Sequence, residues 1–176
     1  MRLPPLPAES WDDDTRAAFR ALLPAARRNP EGAGPAMSVL ANHPELTEAF
    51  LGFSVYLLFR SSLPPRVREL AILRVAHRTD CAYEWQHHTG FAATAGLSEA
   101  DIAAVQNGAT ATEFDQAVLD AADELLDEST LSDQTWAALS DQLSDRQRMD
   151  LVFTVGGYSL LAMAFNTFGV MPEHER

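Results

Sequence analysis

Residues 66–96 read RVRELAILRVAHRTDCAYEWQHHTGFAATAG, and the spacing of their apolar and cap-type residues predicts two helices joined by a tight corner. Pro64 and Pro65 stand where a first helical turn tolerates proline, which has no N–H to leave unsatisfied. Val67, Leu70, Ile72, Leu73 and Val75 then carry a helix to about Arg78. Thr79 and Asp80 are cap-type residues that end it and start the next helix at Cys81, which Gly96 closes.

On that second helix Glu84 lies three residues after Cys81 and His88 seven, so a period of 3.6 residues puts all three on one stripe. Glu69, twelve residues before Cys81, joins them only if the two helices pack in a tight antiparallel or crossed pair. A carboxylate beside an imidazole in a partly dry pocket builds a proton relay, because each keeps the other in a usable protonation state. Glu69, Cys81, Glu84 and His88 are therefore the candidate catalytic residues. The helix dipole favours a thiolate at Cys81 and the Glu84 charge opposes it, so sequence leaves the sign of its pKa shift open. Plainer roles exist for each: a lone cysteine is commonly a small buried hydrophobe, and Glu84 with His88 could form a surface pair. His77 and His87 show no partner and read as structural or exposed.

Working outward, residues 1–9 read as an extended proline-rich arm, and Ser10 with Asp13 opens a helix expected to reach about Arg28. NPEGAGP, residues 29–35, reads as a loop, followed by a short helical turn over 37–42 and a helix from Pro44 to about Ser61. Beyond Gly96, helices are expected from Ser98 to Gly108, Thr112 to Leu126 and Ser132 to Leu143. A last one opens with Ser144 and Gln147 and ends near Gly169. No segment alternates apolar with polar residues, so the fold class is all-α. With 176 residues, 47% of them hydrophobic, a single domain spanning residues 1–176 is expected.

The net charge of −12 argues against nucleic acid as a partner, since phosphate binding rests on clustered cations. All thirteen basic residues are arginine, which removes pyridoxal phosphate enzymes, Schiff-base aldolases and Walker A phosphate loops, each of which needs a lysine amine. Residues 98–150 hold thirteen acids against two arginines and read as a solvated acidic face. The apolar run from Leu151 to Phe165 is shorter than a bilayer requires and reads as a core helix, so no membrane partner is expected. The amino terminus lacks the basic start and apolar core of a signal peptide, and a single cysteine forms no intrachain disulfide; the cytoplasm is the expected location. Histidines spaced for a metal on one helix face are absent, as is a Gly-x-Ser-x-Gly elbow, so no metal, no other cofactor and no serine triad is expected.

The run Arg66 to Val75, the block Cys81-Ala-Tyr83-Glu84-Trp85-Gln-His-His88 and the following Ala-Gly-Leu-Ser resemble the core of the carboxymuconolactone decarboxylase and alkylhydroperoxidase D family. Asp150-Leu-Val, Val155-Gly-Gly-Tyr158 and Phe168-Gly-Val are similar to that family's last helix. The resemblance implies a compact, AhpD-like orthogonal multi-helix fold, usually assembled as a homotrimer or hexamer. In the family's peroxidase branch it implies a glutamate, a Cys-x-x-Cys pair and a histidine as active site. Glu69, Cys81 and His88 match the glutamate, the first cysteine and the histidine, while Glu84 stands where the second, peroxide-attacking cysteine belongs.

A carboxylate cannot reduce a peroxide, and Cys81 alone would need an outside thiol to resolve its sulfenic acid; the Tyr-Glu-Trp-x-x-His form is similar instead to the decarboxylase-like branch. The expected activity is that of a cofactor-independent lyase or isomerase acting on a small organic acid or lactone, with His88 and Glu84 as acid and base and Glu69 orienting His88. Arg66 or Arg74 would hold a substrate carboxylate in its two-pronged donor geometry, and Tyr83 and Trp85 are further candidate substrate contacts. The alternatives are a one-cysteine thiol peroxidase or redox sensor working through Cys81, and a non-catalytic oligomer that binds a small molecule.

Overall fold

The computed structural model describes residues 1–172. Among them it has nine α-helices, two short 3-10 turns and no strand. The chain groups into two compact units, one formed by Met1–Arg60 with the stretch from Phe165 onward, the other by Ser61–Ala164.

In the first unit, α1 (Asp13–Ala18) is capped by Asp12, whose carboxylate accepts from the Thr15 N–H at 2.8 Å. The helix expected from Ser10 to Arg28 is thus only six residues long. After it Phe19 turns inward to stack on Trp11 with ring centroids 5.2 Å apart, and Pro24, lacking an N–H, leads only into a 3-10 turn, Ala25–Arg27. The segment expected to be a loop is helical instead: α2 runs Pro30–Leu40, with Asn29 accepting from the Gly32 N–H and Pro30 in the first turn. Gly34 kinks α2 at φ 75°, a conformation glycine adopts without strain. α3 (Pro44–Phe59) packs on α1 around a core of Trp11, Phe19, Ala41 and Leu51. The amino-terminal arm is tied down, its Leu6 N–H donating to the Ser38 carbonyl at 2.8 Å.

The second unit is built around α4 (Pro65–Arg78), which is buried at Val67 and continuously from Glu69 to Ala76 and packs against α5 (Ala82–Ala92), α6 (Glu99–Asn107) and α7 (Glu113–Glu128). Leu70, Ile72, Leu73, Val118, Leu119 and Leu139 are its fully enclosed centre. α8 (Asp133–Ser140) covers α7, and α9 (Asp145–Phe168) follows the expected Ser144–Gln147 start, where the Gln147 amide oxygen accepts from the Ser144 N–H at 2.9 Å. Ser98 and Asp101 form a reciprocal capping box on α6, and Gly108 closes that helix at φ 72°.

The acidic half of the sequence is not simply a solvated face. Arg66 pairs with Asp101 and Asp115 at 2.8 and 2.7 Å, Arg74 with Asp123 at 2.6 Å, and Arg78 with Asp123 and Asp127 at 2.6 and 2.8 Å. One flank of α4 is thus an arginine ladder that takes up acids of α6 and α7. Such pairs are hard to see in sequence because partners 30 to 50 residues apart meet only through packing.

α9 spans 24 residues, longer than the apolar run within it, and by length and composition it is the one described helix apolar enough to cross a membrane. Its Asp150 is buried and accepts from both the N–H and the hydroxyl of Ser62 at 2.6 Å, which fits a helix packed into the protein core.

Candidate active site

The corner at Thr79–Asp80 turns the chain so that α5 folds back along α4, with Asp80 at φ 50° and Cys81 at the N-cap position of α5. This is the tight pairing that the sequence required of Glu69. His88 Nδ1 lies 2.6 Å from Glu69 Oε2, and on the other side of the ring His88 Nε2 lies 3.4 Å from Glu84 Oε2. All three are buried: Glu69 is 0% exposed, His88 4% and Glu84 5%.

Burial alone would lower the proton affinity of His88, but hydrogen bonds and charge from Glu69 and Glu84 outweigh it and hold the imidazole above its ordinary value. The ring, clamped between two carboxyl groups, therefore holds its proton more tightly than a free imidazole does. Arg68, next to Glu69 on α4, donates its Nε–H to Glu69 Oε1 at 3.0 Å. The result is a line of alternating charge: Arg68, Glu69, His88, Glu84.

Tyr158 of α9 presents its ring edge to His88 at a centroid distance of 5.0 Å and an interplanar angle of 89°. Burial first, then the charges of Glu84 and Glu69, push its phenol well above the usual range, so it remains protonated. Sequence reasoning met Tyr158 only within the last apolar run and the motif similar to the family's last helix, and did not single out Arg68. The buried glutamate that Arg68 adjoins was the one available signal.

Cys81 is 1% exposed, and its pKa is pushed up to about 11 by burial and by the Glu84 charge, against the backbone N–H groups of Glu84 and Tyr83. The sign left open by the sequence resolves toward an unreactive thiol. The other expected contacts divide. Tyr83 is buried with its ring tilted against that of His87 at a centroid distance of 4.3 Å, while Trp85 packs against the core with its ring centroid 5.9 Å from that of His77, so both histidines do have aromatic neighbours.

Arg66 and Arg74 are not placed to hold a substrate. The Arg66 guanidinium is spent on Asp101, Asp115 and the Gly96 carbonyl, and that of Arg74 on Asp123 and the Val105 carbonyl at 2.6 Å. Both are structural anchors of α4. A groove of about 480 Å³ bordered by Thr110, Gln116, Asp120, Gln134 and Ala138 contains none of the site residues. Among the described residues no cluster of three or more His, Cys, Asp or Glu side chains is arranged to hold a metal.

Residues 44–128, which include α4, α5 and the whole Glu69–Glu84–His88 set, match the carboxymuconolactone decarboxylase family. The fold is shared with an Agrobacterium tumefaciens protein of unknown function linked by its description to AhpD antioxidant defence, at 21% identity and a TM-score of 0.66 over 74% of this chain and 92% of that one. It is shared also with the alkylhydroperoxidase AhpD core of an uncharacterized peroxidase-related protein from Ralstonia eutropha JMP134, at 18% identity and a TM-score of 0.71 over 99% of this chain and 95% of that one. No curated protein matches the chain. Residues 44–128 thus carry the sequence pattern of the carboxymuconolactone decarboxylase family, within an all-helical fold of the AhpD-like kind.

Proposed function

We propose that the chain is a cofactor-independent lyase or isomerase that moves a proton on a small organic acid or lactone. The observation that carries this reading is the buried His88 ring held between Glu69 and Glu84 at 2.6 and 3.4 Å. Glu84 is the base: it takes a proton from a carbon beside the substrate carbonyl, the C–H bond breaks, and the electron pair moves onto the carbonyl oxygen. The protonated His88 steadies that developing charge, with Glu69 behind it fixing the ring, and Glu84 returns the proton at a second carbon. In a decarboxylation the C–C bond to the carboxylate breaks instead, CO2 leaves, and the carbanion takes its proton from His88.

The thiol route is poorly served by a cysteine buried and held protonated, with a carboxylate where a second thiol would be needed. The peroxidase wording attached to the structural neighbours describes those proteins, whose likeness to this chain is one of fold.

Self-association, which the family resemblance implies, has a face to use. Met149, Phe153, Gly156, Leu160 and Met163 recur along α9 at alternating spacings of four and three residues, and the four side chains are more than half exposed. That spacing makes a coiled-coil-like seam suited to a second copy.

The reading is tested by incubating the protein in D2O with a panel of small β-keto acids and lactone carboxylic acids, following deuterium incorporation and CO2 release by NMR and manometry. Wild type and Cys81→Ser turn over the same compound, and His88→Gln and Glu84→Gln do not. Activity that survives in His88→Gln and disappears in Cys81→Ser overturns it.

A further inference from the structure

We propose that Arg68, and neither Arg66 nor Arg74, anchors the anionic end of the substrate; the proposal rests on the acid–base reading above. A chain of net charge −12 that takes an organic acid needs a local cation with donors to spare. Four arginines lie on α4. Three of them are committed to carboxylates of α6 and α7. Arg68 differs: it uses only its Nε–H, on Glu69, and its two terminal NH2 groups make no hydrogen bond among the described residues.

Three features make it a built anchor. Its side chain is 18% exposed, dry enough to strengthen a charge-assisted hydrogen bond and open enough to be reached. The bond from Nε to a carboxylate that is itself fully buried fixes the guanidinium plane, so little rotamer freedom remains to be lost when a ligand carboxylate takes the fork of the two terminal groups. Glu69 receives Arg68 on Oε1 and His88 on Oε2, so a single carboxylate separates the free cation from the imidazole. With Arg68 and His88 positive and Glu69 and Glu84 negative, the cluster is balanced, and an entering carboxylate meets no net repulsion there.

The test uses the full chain, isothermal titration calorimetry, and succinate as probe, with succinamide as its uncharged counterpart. Wild type is expected to bind succinate, more weakly as salt rises, and not succinamide. Arg68→Gln should weaken succinate binding at least about tenfold, as loss of a charge-assisted pair does. Arg68→Lys, which keeps the charge and loses the fork, should fall between the two, and it decides the matter if Arg68→Gln does not fold by circular dichroism. His88→Gln, which removes one charge of the cluster but leaves the Arg68 fork, should still bind succinate in preference to succinamide while losing proton exchange on the acid panel above. Equal affinity of the arginine variants and wild type, or equal binding of succinate and succinamide, overturns the anchor. Retained proton exchange in His88→Gln alongside lost binding in Arg68→Gln overturns the acid–base reading and leaves the anchor standing.

Discussion

His88 and Glu69 come from different helices, 19 residues apart, and meet at 2.6 Å with almost no solvent around either. A pair this close and this dry binds a proton differently in the folded and unfolded chain, so its effects extend to stability.

The folded protein holds the His88 proton above the ordinary value of 6.5. The stabilisation this provides is complete below about pH 6.5 and is lost as pH rises through the higher folded value. Urea unfolding followed from pH 5 to 9 should show wild type losing stability as pH rises above about 6.5. Glu69→Gln, which removes the closer carboxylate, should flatten that slope; an unchanged slope would detach His88 from Glu69.

Cys81 should behave as a packing residue. In native protein its reaction with an aromatic disulfide reagent should be far slower than that of a free thiol, and unfolding in urea should expose it. Cys81→Ala should cost about 1 kcal/mol in urea melts by removing one buried group. Rapid native labelling would mark the thiol as reactive.

Arg74 and Asp123 form a largely buried pair that fastens α4 to α7, with Arg74 also on the Val105 carbonyl. Arg74→Met leaves Asp123 with only Arg78 and the carbonyl without its donor, and should destabilise the protein by about 3 kcal/mol in chemical denaturation. Gly108 supports the same contact. At φ 72° it tolerates no side chain without strain, and a Cβ there would lie 3.0 Å from an Arg74 terminal nitrogen. Gly108→Ala should therefore cost about 1 kcal/mol or more.

The α9 seam makes a prediction about assembly. Met163 is 67% exposed, so Met163→Glu should leave a monomer fold undisturbed. If a second copy covers the seam, light scattering should show the wild-type oligomer and a smaller species for Met163→Glu. Identical masses would move the interface elsewhere.

Much of this could be read directly from the chain. The helices from Pro44 onward follow from local signals: prolines in first turns, the Ser98–Asp101 box, and glycines at positive φ such as Gly108. The stripe Cys81, Glu84, His88 follows from helical period, and the Glu69 contact from the short corner before α5. The misses share a cause. α2 hides in a glycine- and proline-rich segment because Asn29 and Pro30 act as start signals there, and α1 ends early because Phe19 is pulled against Trp11. Arg66 and Arg74 looked like free cations because Asp101, Asp115 and Asp123 reach them only through tertiary packing. By the same token Arg68, whose terminal donors packing leaves unclaimed, could not be told from its neighbours.

The claim on which the account turns is that Glu69 and Glu84 keep His88 charged inside the protein. Ring 15N and 13C NMR of histidine-labelled protein, titrated from pH 5 to 9 with His88→Gln to assign the signal, measures this directly. The account predicts a His88 ring protonated on both nitrogens through pH 6.5 and titrating above it, with the midpoint lowered in Glu69→Gln and Glu84→Gln. A His88 ring already neutral at pH 6 would contradict it.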